Sequence, residues 1–300
     1  MEEIIRLFPE GIQHELNSRI GNRWDQLQEI RLRLNRPLEL IFHSKQEWLN
    51  QALPNKLDFV HIINQLSEYS LYRMEEELRE GYMTIEGGHR VGLAGKVNTL
   101  NGAVKAIQFI TFLNIRIAKE KIGVATKIMP YLYHQGYLNT LIVGAPQTGK
   151  TTLIRDIARI ISTGWKNVPA KKVGVIDERS EIAASIKGVP QHDLGLRTDV
   201  MDACPKAEGM MMMIRSMSPE ILIVDEIGGK KDVDALLEAL NAGVVVVCSV
   251  HGQTLEELKK RPTIQALINQ RIFHRYLILD STLSMGRFRG IHDAEGKRMS

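Results

Sequence analysis

The sequence predicts an α/β chain in two parts: a parallel sheet with helices on both faces over residues 121–300, preceded by a smaller α+β domain over 1–120. Three observations predict it. Short runs of Val, Ile and Leu recur after Lys121, at 138–143, 173–176, 221–224, 244–250 and 276–279, with helical stretches between them. Strands this uniformly apolar are covered on both faces, which is the habit of parallel sheets. Before Lys121 the strand-like segments instead alternate apolar and polar residues, and Gly87-Gly88 and Asn101-Gly102 are hairpin-turn dipeptides. A length of 300 residues with 44% apolar side chains suits two ordinary globular domains and excludes wholesale disorder.

In the first part, Glu10 to Ile20 places Ile12, Leu16 and Ile20 on one helical face. Ile30, Leu32 and Leu34 alternate with polar neighbours, as do Leu38, Leu40 and Phe42 after Asn35-Arg36-Pro37: a strand, a turn and a strand. Asp58 is the expected N-cap of a helix running to about Arg79, with Ile62, Ile63, Leu66 and Tyr69 inward. Strands follow near 82–86, 90–97 and 104–117. In the second part, the run Leu138 to Val143 leads through a glycine-rich loop into a helix from about Lys150 to Ile161. The Met210 to Met213 cluster reads as part of a core helix.

Thirty-nine basic against 35 acidic residues leave a net charge of +4. The excess sits in residues 259–300, nine basic against three acidic, a stretch able to meet phosphate, anionic lipid or an acidic partner. Cys204 and Cys248 are too few for a disulfide framework, and Cys248 lies in an apolar run. The start M-E-E-I-I-R-L-F is acidic where a signal peptide is basic, and the longest apolar runs fall far short of the ~20 residues that span a bilayer. A cytoplasmic chain with at most peripheral membrane contact is expected.

The chemistry is carried by strand ends. Gly144-Ala145-Pro146-Gln147-Thr148-Gly149-Lys150-Thr151 fits G-x-x-x-x-G-K-[ST], between an expected strand and an expected helix, with Thr152 next. Backbone N–H groups of such a loop cradle a phosphate chain, Lys150 reaches its outer phosphates and the Thr151 hydroxyl can ligate Mg²⁺. The run I-L-I-V ends in Asp225-Glu226. Asp225 is placed to hold the metal beside the phosphate loop, and Glu226 to polarise a water as general base. Asp177, Glu178, Arg179 and Glu181 follow another strand, and Ser249 and His251 a third, His251 being the expected reporter of the terminal phosphate. Asn55-Lys56-Leu57-Asp58 matches the guanine-reading N-x-x-D but precedes the phosphate loop by some 90 residues, so ATP is favoured over GTP.

This order of phosphate loop, acidic box, Asp-Glu pair and Ser-Val-His-Gly resembles the secretion and traffic ATPases, which power type II and type IV secretion and pilus machines. Glu29 to Leu38, Gly87 to Gly95, Asn114 to Ala118 and Cys204 to Pro219 extend the resemblance over nearly the whole chain, to the stage III sporulation branch found in endospore-forming bacteria. The resemblance implies a RecA-like P-loop ATPase core using ATP and Mg²⁺, with Lys150, Glu178, Glu226 and His251 catalytic. It also implies a homo-hexamer in the mother cell, joined to the membrane around the forespore through a membrane-anchored channel component. Arg90 and Arg116 of the first domain are the candidate arginine fingers to a neighbouring subunit, with Arg197 and Arg215 behind them. Gly228 departs from the wider family, which often has arginine there. The alternative is a nucleic-acid-dependent ATPase using the basic 259–300 segment. The sequence has no zinc knuckle, no trustworthy helix-turn-helix and no aromatic-interleaved basic strand to support it.

Overall fold

A computed structural model describes residues 1–68, 75–100, 102–280 and 288–300, which fall into two units, Met1–Lys119 and Glu120–Ser300. In the first unit, helices α1 (Glu2–Ile5), α2 (Glu10–Ile20), α3 (Lys56–Leu66) and α4 (Glu75–Glu80) accompany strands β1 (Leu27–Arg33), β2 (Leu38–Phe42), β3 (Gln46–Leu49), β4 (Tyr82–Ile85), β5 (His89–Leu100) and β6 (Ala103–Arg116). The strands form an antiparallel sheet in the order β3-β2-β1-β6-β5-β4. Alternation decides its faces. Ile30, Leu32, Val91, Leu93, Leu113 and Ile115 join Ile12, Leu16, Phe59 and Ile62 in one core, while Arg31, Arg33, Arg90, Asn114 and Arg116 take the opposite positions.

Two details differ from the sequence expectation. The cap of α3 is Asn55, whose side-chain oxygen accepts the Leu57 and Asp58 N–H groups at 2.7 and 3.2 Å, while Asp58 Oδ2 accepts the Asn55 N–H at 2.8 Å. The N-x-x-D spacing is therefore a capping box, a reciprocal pairing that asks for an acceptor three residues after the cap. The helix also stops at Leu66; Tyr69 and Asn101 lie outside the described residues. Further on, Gly95 sits at a register shift between β5 and β6, where a Cβ would lie 1.7 Å from the Phe109 carbonyl oxygen. Only glycine permits that approach.

The second unit contains β7 (Thr140–Gly144), α5 (Lys150–Thr163), β8 (Val173–Asp177), β9 (Thr198–Asp202), α6 (Lys206–Met217), β10 (Ile221–Glu226), α7 (Lys230–Asn241), β11 (Val245–His251), α8 (Leu255–Leu258), α9 (Pro262–Asn269), β12 (Arg275–Leu279) and β13 (Phe288–His292). The sheet order is β13-β12-β7-β11-β10-β8-β9, parallel except that β13 runs antiparallel to β12. Both faces are buried. Ile142, Val175, Ile221, Ile223 and Val247 pack with Leu153, Ile154, Ile157 and Ile161 of α5. Val143, Leu222, Val224, Val246 and Cys248 pack with Met210, Met213, Leu236 and Leu267 of α6, α7 and α9. Burying one such aliphatic side chain contributes about 1.5–3 kcal/mol. The methionine run divides as a helix requires: Met210 and Met213 are buried, Met212 is exposed. At the sheet's edge the chain returns along β13, where the Met299 N–H donates to the Ile291 carbonyl at 2.7 Å and the Ile291 N–H to that of Ser300 at 3.1 Å.

Candidate active site

Because β7, β11, β10 and β8 run parallel, their C-terminal ends share one edge of the sheet. β7 opens directly into the phosphate loop. Gly144 is confined there: a Cβ would lie 2.5 Å from Thr148 Oγ1 and 3.2 Å from Lys150 Cγ. Pro146 and Gln147 form the exposed tip, and positive φ at Gln147 (63°) and Gly149 (93°) turns the chain into α5. Thr148 Oγ1 donates to the Ala145 carbonyl at 2.8 Å, and Lys150 Nζ donates to the carbonyls of Gly144 at 2.8 Å and Ala145 at 3.1 Å. Burial lowers the Lys150 pKa from its ordinary value, against the charges of Glu226, Asp225 and Glu181, which raise it. Thr151 and Thr152 stand half-buried in the first turn of α5.

β7 lies between β12 and β11, and the Asp225-Glu226 strand lies beyond β11, which separates it from the loop strand. At ~4.8 Å per strand, β10 lies about 10 Å from β7. His251 pairs in register with Gly144, which places it at the mouth of the loop. Its Nε2 is buried and has no hydrogen-bond partner among the described residues. Asp225 is buried on the neighbouring strand β10, with Ser249 Oγ of β11 donating to Oδ1 at 3.5 Å. Burial raises the Asp225 pKa, and the neighbouring Glu181 and Glu226 charges raise it further. Glu226 is half-buried at the strand's last position, and the turn after it is tied by Asp232 Oδ2, which accepts the Gly228 and Gly229 N–H groups at 3.1 and 3.0 Å.

The acidic box follows β8. Asp177 is fully buried and serves the loop's backbone: Oδ1 accepts the Glu181 N–H at 2.8 Å, and Oδ2 accepts those of Ile182 and Ala183 at 2.9 and 2.8 Å. Arg155 of α5 holds the same residues by their other groups, donating to the carbonyls of Ile182 at 2.6 Å and Glu181 at 2.7 Å. Gripped from both sides, the loop brings Glu181 near enough to act electrostatically on both Lys150 and Asp225. Glu178 instead pairs with Lys206 at the start of α6. Both line a cleft of about 250 Å³ together with Asp225, Glu226 and Gly228.

The donors suit a divalent cation: buried Asp225, crowded by other carboxylates, is the kind of acid a cation stabilises, and Thr151 offers the hydroxyl.

Arg90 and Arg116 face each other across β5 and β6 of the N-terminal unit. The Arg90 guanidinium lies 3.5 Å from the centroid of the Tyr82 ring, and Arg116 is 4.0 Å from Glu29 and largely exposed. Arg197 precedes β9 and Arg215 ends α6, so both lie at the opposite edge of their own sheet from the phosphate loop. Arg197 donates to the Ala170 carbonyl at 2.7 Å.

Residues 1–299 match the family described as sporulation stage III, protein AA, and the whole chain is 52% identical to stage III sporulation protein AA of Bacillus subtilis (strain 168), over 97% of that protein. The chain belongs to this family. Among solved structures, the ATPase DotB of Legionella pneumophila matches 90% of the chain and 76% of its own at a TM-score of 0.60 and 15% identity. The pilus retraction motor PilT, solved with bound ADP, matches 88% and 76% at 0.61 and 14% identity. At those identities the likeness is one of fold, and it places this sporulation family on the RecA-like architecture of secretion and pilus ATPases.

Two residues at this edge escaped the sequence reading. Arg155 is a buried arginine beside the buried Asp156 in α5, and an arginine is almost never buried without partners. Lys206 gave no signal, because only the folded chain brings it to Glu178. Among the described residues, no helix is long and apolar enough to cross a membrane.

Proposed function

We propose that this chain is a magnesium-dependent ATPase whose subunits form a hexameric ring and power or assemble a channel between mother cell and forespore, docked on a membrane-anchored component. One observation carries the reading: a glycine-confined phosphate loop with its lysine shares a sheet edge with a buried aspartate, a neighbouring glutamate and a histidine whose Nε2 lacks a partner. PilT, which shares the fold, was solved with ADP, which favours an adenine nucleotide here.

In this reading the backbone of residues 144–151 and the N-terminus of α5 bind the phosphates. Lys150 leaves its loop carbonyls for the outer phosphate oxygens. Thr151 and Asp225 would hold Mg²⁺, which when bound neutralises charge on the phosphates. Glu226 accepts a proton from water as the water oxygen bonds to the γ-phosphorus. The bond from that phosphorus to the bridging oxygen breaks, and ADP leaves with the electron pair. His251 Nε2 meets the terminal phosphate and registers its loss. Glu181, whose charge acts on both Lys150 and Asp225, supports the metal's surroundings, while Glu178 is held by Lys206 at the rim. Arg90 and Arg116 reach the γ-phosphate of an adjacent subunit.

Calorimetry with ATP and Mg²⁺ tests this. Binding heat is expected for the wild-type chain and at least about 100-fold weaker binding for Lys150→Ala, with the fold intact in both. No heat from a folded wild-type chain overturns the proposal.

A further inference from the structure

The chain beyond β11 does not simply leave the site. Arg261 Nη1 donates to the His251 carbonyl at 2.5 Å and Nη2 to Glu257 Oε1 at 2.5 Å. Glu257 Oε2 in turn accepts the Gln253 N–H at 2.8 Å, and the Glu257 N–H donates to Thr254 Oγ1 at 3.1 Å. Residues 251–261 thus close on themselves through one arginine. Gly252 makes the closure tight: its N–H donates to the Gly144 carbonyl at 3.3 Å, and a Cβ there would lie 2.9 Å from Leu258 Cδ2. From the far side, Thr263 Oγ1 in the first turn of α9 donates to the Gly228 carbonyl at 3.3 Å, two residues beyond Glu226.

We propose that Arg261, braced by Glu257, is a positioning residue: it fixes the His251 peptide so that Nε2 faces the phosphate loop, and couples that strand end to α9. The inference rests on the proposed role of His251. A carbonyl held by a charged donor fixes its peptide plane, and through it the direction of the Cβ bond at the same residue. The buried, partnerless Nε2 is the group whose direction matters, since a polar atom in that state is satisfied when an oxygen arrives. The Glu257 carboxyl lies below its ordinary value, chiefly through the Gln253 N–H, with Arg261 adding to the lowering. A displacement of His251 on loss of the phosphate is then passed by Arg261 to α9, which begins at the next residue and also touches the turn after Glu226.

Steady-state ATP hydrolysis by the full chain, with kcat and KM separated, tests this in Arg261→Ala, Arg261→Lys, Glu257→Gln, His251→Ala and the Arg261→Ala/His251→Ala pair. Arg261→Ala is expected to lower kcat about 10-fold with KM within about 3-fold, and Arg261→Lys to recover most of the loss. The double variant should be no slower than His251→Ala alone, because both changes remove one device. Should Arg261→Ala fail to fold, Glu257→Gln decides, with an expected loss of about 3-fold that His251→Ala masks. Losses that multiply in the double variant, or wild-type kcat in Arg261→Ala beside a slow His251→Ala, overturn the role of Arg261 alone. Wild-type kcat in His251→Ala overturns the reading of His251 and this inference with it.

Discussion

In the antiparallel sheet of the N-terminal unit every second side chain points away from the core, whereas the parallel sheet of the C-terminal unit leaves neither face free. Its central strands β7, β8, β10 and β11 are apolar over most of their length, and their charged or ionisable groups gather where they stop: Asp177, Asp225 with Glu226, and His251, beside the phosphate loop that opens at Gly144. The N-terminal sheet carries its charges on one face, with Arg31, Arg33, Arg90 and Arg116 alternating with core residues. A doubly covered sheet concentrates chemistry at one edge; a singly covered one spreads it over a surface. The first geometry suits reacting atoms that must meet, the second suits contact with another molecule.

The sharpest way to break this contrast is at a strand end. Glu226→Gln should lower kcat by about 100-fold or more while ATP still binds, because the amide keeps the shape and loses the proton acceptor. Rapid turnover in that variant, measured by phosphate release, would move the chemistry elsewhere. A second test separates a strand end that holds structure from one that reacts. Burial pushes the Asp177 carboxyl up to about 6 from 3.8, although backbone N–H groups of Ala183 and Glu181 oppose it. A carboxyl raised in the folded chain binds its proton more tightly there than when unfolded. Its contribution to stability is therefore full below about pH 4 and lost as pH rises through 6. Relative to Asp177→Asn, the wild-type chain should gain about 2 kcal/mol on going from pH 7 to 4.5 in denaturant unfolding. A difference that does not change with pH would mean that the buried carboxyl does not titrate there. The mildest test concerns the two arginines of the N-terminal unit. Arg116→Ala and Arg90→Ala should each slow the assembled protein by about 10-fold, while nucleotide affinity at dilutions that keep subunits apart stays unchanged. An equal loss of affinity in separated subunits would place these arginines outside any contact between copies.

Much of this was legible in advance, and the exceptions share a cause. The five apolar runs, the phosphate loop and the Asp-Glu pair are local patterns, and each became the element it suggested. The strands not foreseen were β3, β9 and β13, all at sheet edges, where burial on one side leaves residues such as Thr198, Asp199 and Asp202 too polar to announce a strand. The insertion of β11 between the phosphate-loop strand and the Asp225 strand is a matter of sheet order, which chain order does not encode. The same holds for Lys206 beside Glu178 and Arg155 beneath the acidic loop, contacts between residues 28 and 26–27 positions apart. Asn55 was overlooked for another reason: in a capping box two acceptors three residues apart are both used, and the acidic one is the more conspicuous.

The return of residues 299–300 along β13 has a bearing on how copies of the chain can meet. An open strand at the rim of a sheet is sticky: its unpaired peptide groups will zip onto any similar strand, which is how sheets from separate molecules fuse into aggregates. Here residues 299 and 300 occupy hydrogen-bonding positions of that rim. Fusion of two copies through β13 is thereby disfavoured.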